Sequence, residues 1–229
     1  MSDRLWIKIC GLTTDAGVTA AVRAQVDAIG FVFAPSKRRV TPQRALELCR
    51  GIPASIARVA VFQHPQQALV DEVCAVLQPD FVQTDVEDLA ALTLPPSVRV
   101  NPVIRAPSVV PTKVGTAAGT VPNEIPTFVG MTGGTVPAAR LPPRIVYEGP
   151  VSGTGTTVDW AQAALLARRT KLILAGGLNP ENVSEAIRIV NPYGVDVSSG
   201  VEASAGIKDP ALIMRFVSAA REAQDVLVV

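Results

Sequence analysis

The sequence predicts an α/β protein: eight parallel strands closed into a (β/α)8, or TIM, barrel. Three observations predict it. Short apolar runs alternate with longer amphipathic ones, the pattern that builds a parallel sheet under helices. Eight such units fit the 229 residues, a length that these barrels commonly fill as one domain. Hydrophobic residues make up 48% of the chain, enough for a large core. We therefore read residues 1–229 as a single barrel, interrupted by an irregular insertion at 106–143 that replaces or displaces the fifth helix.

The elements follow in order. LWIKI (5–9) reads as a buried strand, and Thr13 to Ala24 has helical spacing, with Val18, Ala21 and Val22 on one face. DAIGFVF (27–33) is strand-like. Thr41 then caps a helix that Pro42 opens and that runs through Cys49. ARVAVF (57–62) is a strand, Pro65 to Leu77 a helix, DFVQ (80–83) a strand, and Val86 to Leu92 a short helix. VRVNPVI (98–104) is a weaker strand, in which Pro102 is expected at an end or a bulge. After the insertion come the strand RIVY (144–147) and a helix from Trp160 to Arg168 capped by Asp159. The strand KLILA (171–175) precedes a helix opened by Asn179-Pro180 and ending at Val190. The strand YGVDVSS (193–199) and a helix from Asp209-Pro210 to Ala223 complete the chain.

The insertion carries an internal near-repeat, VPTKVGTAAGTVP (110–122) against IPTFVGMTGGTVP (125–137). Two copies are too few for a solenoid. Rich in Gly, Pro and Thr, the segment reads as a mobile loop or loose hairpin. A tolerated insertion without catalytic duty is the expectation, and a lid over the site is the alternative.

Composition excludes several function classes. The net charge is +1 with no basic block, so nucleic-acid binding by charge is not expected. No apolar run approaches the roughly 20 residues that span a bilayer, and MSDRLWIK has no secretory-leader character. Three scattered cysteines, Cys10, Cys49 and Cys74, are no disulfide framework and suit a reducing, cytoplasmic setting. There is no CxxC or HxxxH pair and only one histidine, His64, so no metal site is expected.

In such barrels the working residues stand at the C-terminal ends of the strands and in the loops after them. Cys10 ends the first strand beside Gly11, placed either as a small buried side chain or as a nucleophile or base. LAGGLNPENV (174–183) and VDVSSGVE (195–202) end strands seven and eight in donor-rich turns at Gly176, Gly177, Ser198 and Ser199. Phosphate often binds between those two loops; ordinary tight turns are the plainer reading. Asp196 lies within the last strand, where an inward carboxylate needs a partner. Arg38 or Arg39 in PSKRRV suits a carboxylate or simply faces water. Glu148 ends strand six as a candidate acid or a surface carboxylate. His64 reads as a loop residue, and Cys49 and Cys74 as core.

Together KICGLT (8–13), GFVFAPSKRRV (30–40), VAVF (59–62), SGTGTTVDW (152–160), LAGGLNPENV and GVDVSSGVE resemble the phosphoribosylanthranilate isomerases, enzymes of tryptophan biosynthesis. The resemblance covers nearly the whole chain except 106–143. It implies a cofactor-free Amadori rearrangement of a phosphosugar substrate by a monomer or homodimer. Carried over, Cys10 is the general base, Arg38 holds the substrate carboxylate, and Gly176, Gly177, Ser198 and Ser199 bind phosphate. Lys8, Gln83 and Asp196 are further candidate site residues. The family acid is an aspartate, where this chain has Glu148, one methylene longer. The family's Gln-Leu-His-Gly after strand four is Gln83-Thr84-Asp85-Val86 here, without the histidine. The rival readings are another phosphosugar enzyme on the same barrel, or a phosphosugar-binding relic disabled by these two changes. The strand-one cysteine separates the first rival from the isomerase. The only aids to a Cys10 thiolate visible in sequence are a nearby helix end and the substrate site.

Overall fold

A computed structural model describes residues 4–106, 141–151, 155 and 157–227. Strands β1 (Trp6–Cys10), β2 (Ala28–Val32), β3 (Ala57–Val61), β4 (Phe81–Asp85), β5 (Arg99–Arg105), β6 (Arg144–Glu148), β7 (Lys171–Leu174) and β8 (Gly194–Val197) form a closed parallel barrel in sequence order. It closes where β8 pairs with β1, in the register Trp6↔Gly194 to Ile9↔Val197. Outside lie α1 (Asp15–Arg23), α2 (Pro42–Leu48), α3 (Gln67–Leu77), α4 (Trp160–Ala167), α5 (Val183–Val190) and α6 (Pro210–Leu227). Among the described residues no helix is long and apolar enough to cross a membrane.

Strand alternation sorts side chains into two layers. Ile7, Ile9, Ile29, Phe31, Tyr147, Leu172 and Leu174 point outward into the main apolar layer beneath the helices. The intervening residues fill the barrel. Val103, Val146 and Ile173 form one interior cluster, and Ala28, Val59 and Phe81 another, with Trp6 packed against both. Arg144 closes the floor. Its guanidinium lies 5.1 Å over the Phe81 ring and 4.8 Å over that of Tyr193, and it donates to the Tyr193 hydroxyl at 2.8 Å. The apolar floor leaves polar side chains for the opposite, C-terminal end.

Helix starts follow their caps. Thr14 accepts from Gly17 N, Thr41 from Arg44 N with Pro42 just inside, and Asp159 from Ala161 N and Gln162 N. Asp209 accepts from Ala211 N and Leu212 N at the head of α6.

The structure corrects four expectations. The helix expected from Asn179-Pro180 begins at Val183, because the Asn179 side chain first closes a turn by accepting from Glu181 N and Asn182 N. The segment after β4 is only a 3-10 turn, Asp88–Ala91. Pro102 sits inside β5, paired with Thr84 and without a bulge. Its nitrogen belongs to the set facing β6, as the Ala106 N bond to Glu148 O shows, and the β5–β6 ladder starts only at Val103↔Val146. No ladder bond is therefore lost at Pro102. Finally, an unforeseen antiparallel hairpin, β9 (Glu202–Ser204) and β10 (Ile207–Lys208), follows β8. Both the near-repeat and the lid expectation fall on residues outside those described, as does any fifth helix between 107 and 140.

Gly194 meets β1 at the closing seam. A Cβ there would stand 2.5 Å from the Trp6 carbonyl oxygen, which backbone cannot avoid. Gly194→Ala should therefore destabilise the barrel by about 2–3 kcal/mol in urea denaturation, as overpacking against rigid backbone does.

Candidate active site

A cavity opens at the C-terminal ends of the strands. Cys10, Arg38 and Glu148 line it, as do Gly176, Gly177, Ser198 and Ser199, with Gln83 and Asp196 deeper in. Lys8 lies one inward position before Cys10 on β1 and is fully buried. The topology thus brings the sequence-selected site residues to one mouth, from β1, β4, β6, β7, β8 and the β2 loop, with Lys8 buried beneath it.

Cys10 stands over a buried ion pair. Lys8 Nζ donates to Asp196 Oδ2 at 2.6 Å, and the two residues are register partners across the closing seam. Gly30 on β2 opens the space between them and the thiol. A Cβ there would lie 2.9 Å from Lys8 Cε and 3.1 Å from both Cys10 Sγ and Lys8 Nζ. Burial pulls the Lys8 ammonium down, but Asp196 and Cys10 outweigh it and hold it above its ordinary value. Burial pushes the Cys10 thiol up; Lys8 and Lys208 oppose this and Asp196 adds to it, and burial prevails. The Asp196 Oδ1 atom and, on β4 and β5, Gln83 Oε1 and the Asn101 amide are buried without a hydrogen-bond partner among the described residues. They form a polar layer under the cavity.

A second charged network ties the mouth together. Glu202 on β9 accepts from Arg38 Nε at 2.7 Å and Nη2 at 2.9 Å, a bidentate pair. It also accepts from Lys208 Nζ at 2.7 Å. Lys208 donates to the Ser198 carbonyl at 2.9 Å, and Ser198 Oγ donates to the Cys10 carbonyl at 3.1 Å. Gly11, at φ +73°, keeps the turn after Cys10 clear: a Cβ would press to 2.6 Å from Arg38 Cδ. Burial pushes the Glu202 carboxyl up, but the bonds from Arg38 and Lys208 outweigh it and hold it below the usual range. Burial pulls Lys208 down, and Glu202 only partly restores it.

Glu148 sits at the opposite wall. Arg105, the last residue of β5, is its register partner. Arg105 Nη1 lies 3.6 Å from Glu148 Oε2, while Nε lies 2.8 Å from Asp85 Oδ1 at the end of β4. Burial pushes the Asp85 carboxyl up, and Arg105 offsets only part of the effect. Behind Asp85, Asp88 accepts from Thr84 Oγ1 at 2.6 Å and from the His64 amide at 2.9 Å. The His64 ring meets Asp88 at 2.9 Å, and its hydrogen bond raises the imidazole pKa. His64, Asp85 and Asp88 bring ligand-type atoms within 4.8 Å of one another, but these atoms already serve Arg105, Thr84 and one another. His64 is an exposed loop residue, as expected.

On the β7 and β8 side, Gly176 and Gly177 both adopt positive φ, 87° and 64°. Among the described residues, the backbone amides of Gly176, Gly177 and Ser199 have no protein acceptor. Asn182 fixes this loop by donating to the Gly177 carbonyl at 2.9 Å. Gly200 is obligatory behind it, since a Cβ would collide with the Leu178 carbonyl. Three such amides at two turns lining one cavity suit an anion.

Sequence reasoning missed Arg105, Glu202 and Lys208. Glu202 lay inside the quoted VDVSSGVE motif, but its partners are 164 residues away at Arg38 and 6 away across a hairpin. Lys208 is also the unforeseen second cation near Cys10.

Glu202 holds two part-buried cations, so Glu202→Gln should lower stability at neutral pH. A depressed carboxyl contributes above its unfolded pKa of about 4.5 and loses that contribution as pH falls through the folded value. The gap between wild type and Glu202→Gln in urea denaturation should therefore narrow progressively as pH falls below about 4.5.

Comparison with known proteins places the whole chain in one family. Residues 7–219 match the family model described as N-(5'phosphoribosyl)anthranilate (PRA) isomerase. An N-(5'-phosphoribosyl)anthranilate isomerase of Paracoccus denitrificans is 40% identical over 219 residues, covering 93% of this chain and 96% of the relative. One from Listeria monocytogenes is 38% identical over 216 residues, covering 94% and 98%. Among solved structures, TrpF from Jonesia denitrificans superposes with a TM-score of 0.68 at 33% identity, covering 96% of this chain and 98% of that one. A phosphoribosyl anthranilate isomerase in complex with reduced 1-(o-carboxyphenylamino)-1-deoxyribulose 5-phosphate gives a TM-score of 0.69 at 26% identity, covering 95% and 99%. With the barrel, the cysteine over its ion pair and the two donor-rich loops in place, this chain belongs to the N-(5'-phosphoribosyl)anthranilate isomerase family.

Proposed function

We propose that the chain catalyses the Amadori rearrangement of N-(5'-phosphoribosyl)anthranilate to 1-(2-carboxyphenylamino)-1-deoxyribulose 5-phosphate, a step of tryptophan biosynthesis. The observation that carries this reading is the cavity itself. It holds a thiol and a carboxyl on separate strands, an arginine, and a two-loop anion cradle.

The reaction needs one proton given and one taken. Glu148 donates to the furanose ring oxygen, the C1–O bond breaks, and the nitrogen lone pair forms the Schiff base. Cys10, as thiolate, removes the C2 proton; the electrons move to the C1–C2 bond and neutralise the iminium, giving an enolamine. Protonation at C1 and loss of the C2 hydroxyl proton then yield the ketone. Lys8 and Lys208 supply the positive charge that favours the thiolate against burial. Asp196 keeps Lys8 in place. The Gly176, Gly177 and Ser199 amides receive the phosphate, with Ser198 at the same turn. Glu202 takes the Nε and Nη2 side of Arg38, and the Nη1 group is left for the substrate carboxylate. Gln83 borders the cavity from β4.

Loss of substrate fluorescence measures turnover. Cys10→Ser and Glu148→Ala should each lose about 10²- to 10⁴-fold in kcat, the usual contribution of a positioned acid or base. An inactive wild type that still binds a product analogue would instead mark a phosphosugar binder on an isomerase scaffold. Lys8→Met removes a charge that lowers the thiol pKa. The acid limb of its kcat/KM profile should therefore move to higher pH, since more alkali is then needed to form the thiolate.

A further inference from the structure

Three neighbouring strand ends, β4, β5 and β6, carry Asp85, Arg105 and Glu148 in that order. Their charges alternate. Arg105 Nε meets Asp85 at 2.8 Å, and Nη1 stands 3.6 Å from Glu148. Asp85 is buried, and its side chain is 5% exposed against 23% for Arg105 and 18% for Glu148. Two of the positions where this chain departs from the family pattern, 85 and 148, thus flank one guanidinium.

That placement poses a problem for an acid. A nearby cation favours the carboxylate, whereas an acid must keep its proton until the substrate arrives. The charge of Asp85 on the far side of Arg105 cancels much of that field at Glu148, in a part-buried setting where screening by water is weak. Glu148 also carries one more methylene than aspartate, so its carboxyl needs a lateral anchor to hold one position.

Resting on the assignment of Glu148 as the acid, we propose that Asp85 and Arg105 are a positioning pair. Arg105 fixes the Glu148 carboxyl at the cavity wall, and Asp85 holds and neutralises Arg105 so that Glu148 keeps its proton. Among the described residues, the other charged or titratable groups facing the cavity around Glu148 are Arg38 on the β2 loop, Cys10 on β1 and Asp196 on β8. His64 and Asp88 lie behind Asp85. None of these is altered in the test.

The test is the pH profile of kcat/KM for wild type, Asp85→Asn, Arg105→Met and Glu148→Gln, each checked for native thermal unfolding. Asp85→Asn leaves the full Arg105 charge on Glu148, so its alkaline limb should fall by about half a pH unit or more. Arg105→Met removes that charge, so its alkaline limb should rise by about as much. Opposite displacements are the signature of the pair, and a merely structural role moves neither limb. If either variant fails to fold, the sign of the other's displacement decides. Glu148→Gln that loses activity while the first two variants keep the wild-type limb would overturn the pair alone. Glu148→Gln that keeps the wild-type limb would overturn the acid assignment, and the pair with it.

Discussion

The Lys8–Asp196 ion pair carries two duties at once. It spans β1 and β8, where the sheet must meet itself, at 2.6 Å and out of water. Burial of two charges is costly unless both are paired, and removing either partner leaves an uncompensated charge worth roughly 3–5 kcal/mol. The closing register is therefore specified: a slip of β1 by one residue would turn Lys8 out of the barrel, bring Ile7 and Ile9 in, and leave Asp196 buried without its partner. The same pair sits beneath Cys10. The structural closure and the electrostatics of the Cys10 thiol are one arrangement, with the polar layer at this end and the aromatic floor around Trp6, Phe81 and Arg144 at the other.

The mouth is held by a second set of charges arranged on the same logic. Glu202 faces two cations, Arg38 and Lys208, so the β2 loop, the β9–β10 hairpin and the β8 turn are fixed to a single carboxylate. Thr13 and Gly206 add a further tie, the hydroxyl of one donating to the carbonyl of the other at 2.6 Å. These contacts cross the seam between the first and last units, where barrel closure alone constrains the loops least. The β2 loop and the β8 turn are thereby held at a set separation.

The resting site opposes its own chemistry. Burial disfavours the Cys10 thiolate, and two buried lysines pull against it. On the other wall the Arg105 guanidinium stands between two carboxyl groups, those of Asp85 and Glu148. At Cys10, burial and counter-charge thus act against each other, and burial prevails.

The sequence by itself determined the eight-fold alternation, the caps at Thr41 and Asp159, and the placement of Cys10, Glu148 and the two glycine- and serine-rich turns at strand ends. These are local: period-2 and helical patterns, cap residues and turn glycines act within a few positions. Chain order then sufficed to put the strand ends on one rim. Asp196 was legible as an inward carboxylate in need of a partner, but not that Lys8 is the partner 188 residues away. Pro102 was misjudged because its tolerance depends on where the β6 ladder begins. Glu202, Lys208 and Arg105 were missed because each reads locally as an ordinary surface charge. Only closure of the barrel brings these charges out of water and against one another, and burial together with proximity is what turns them from solvated side chains into parts of a site.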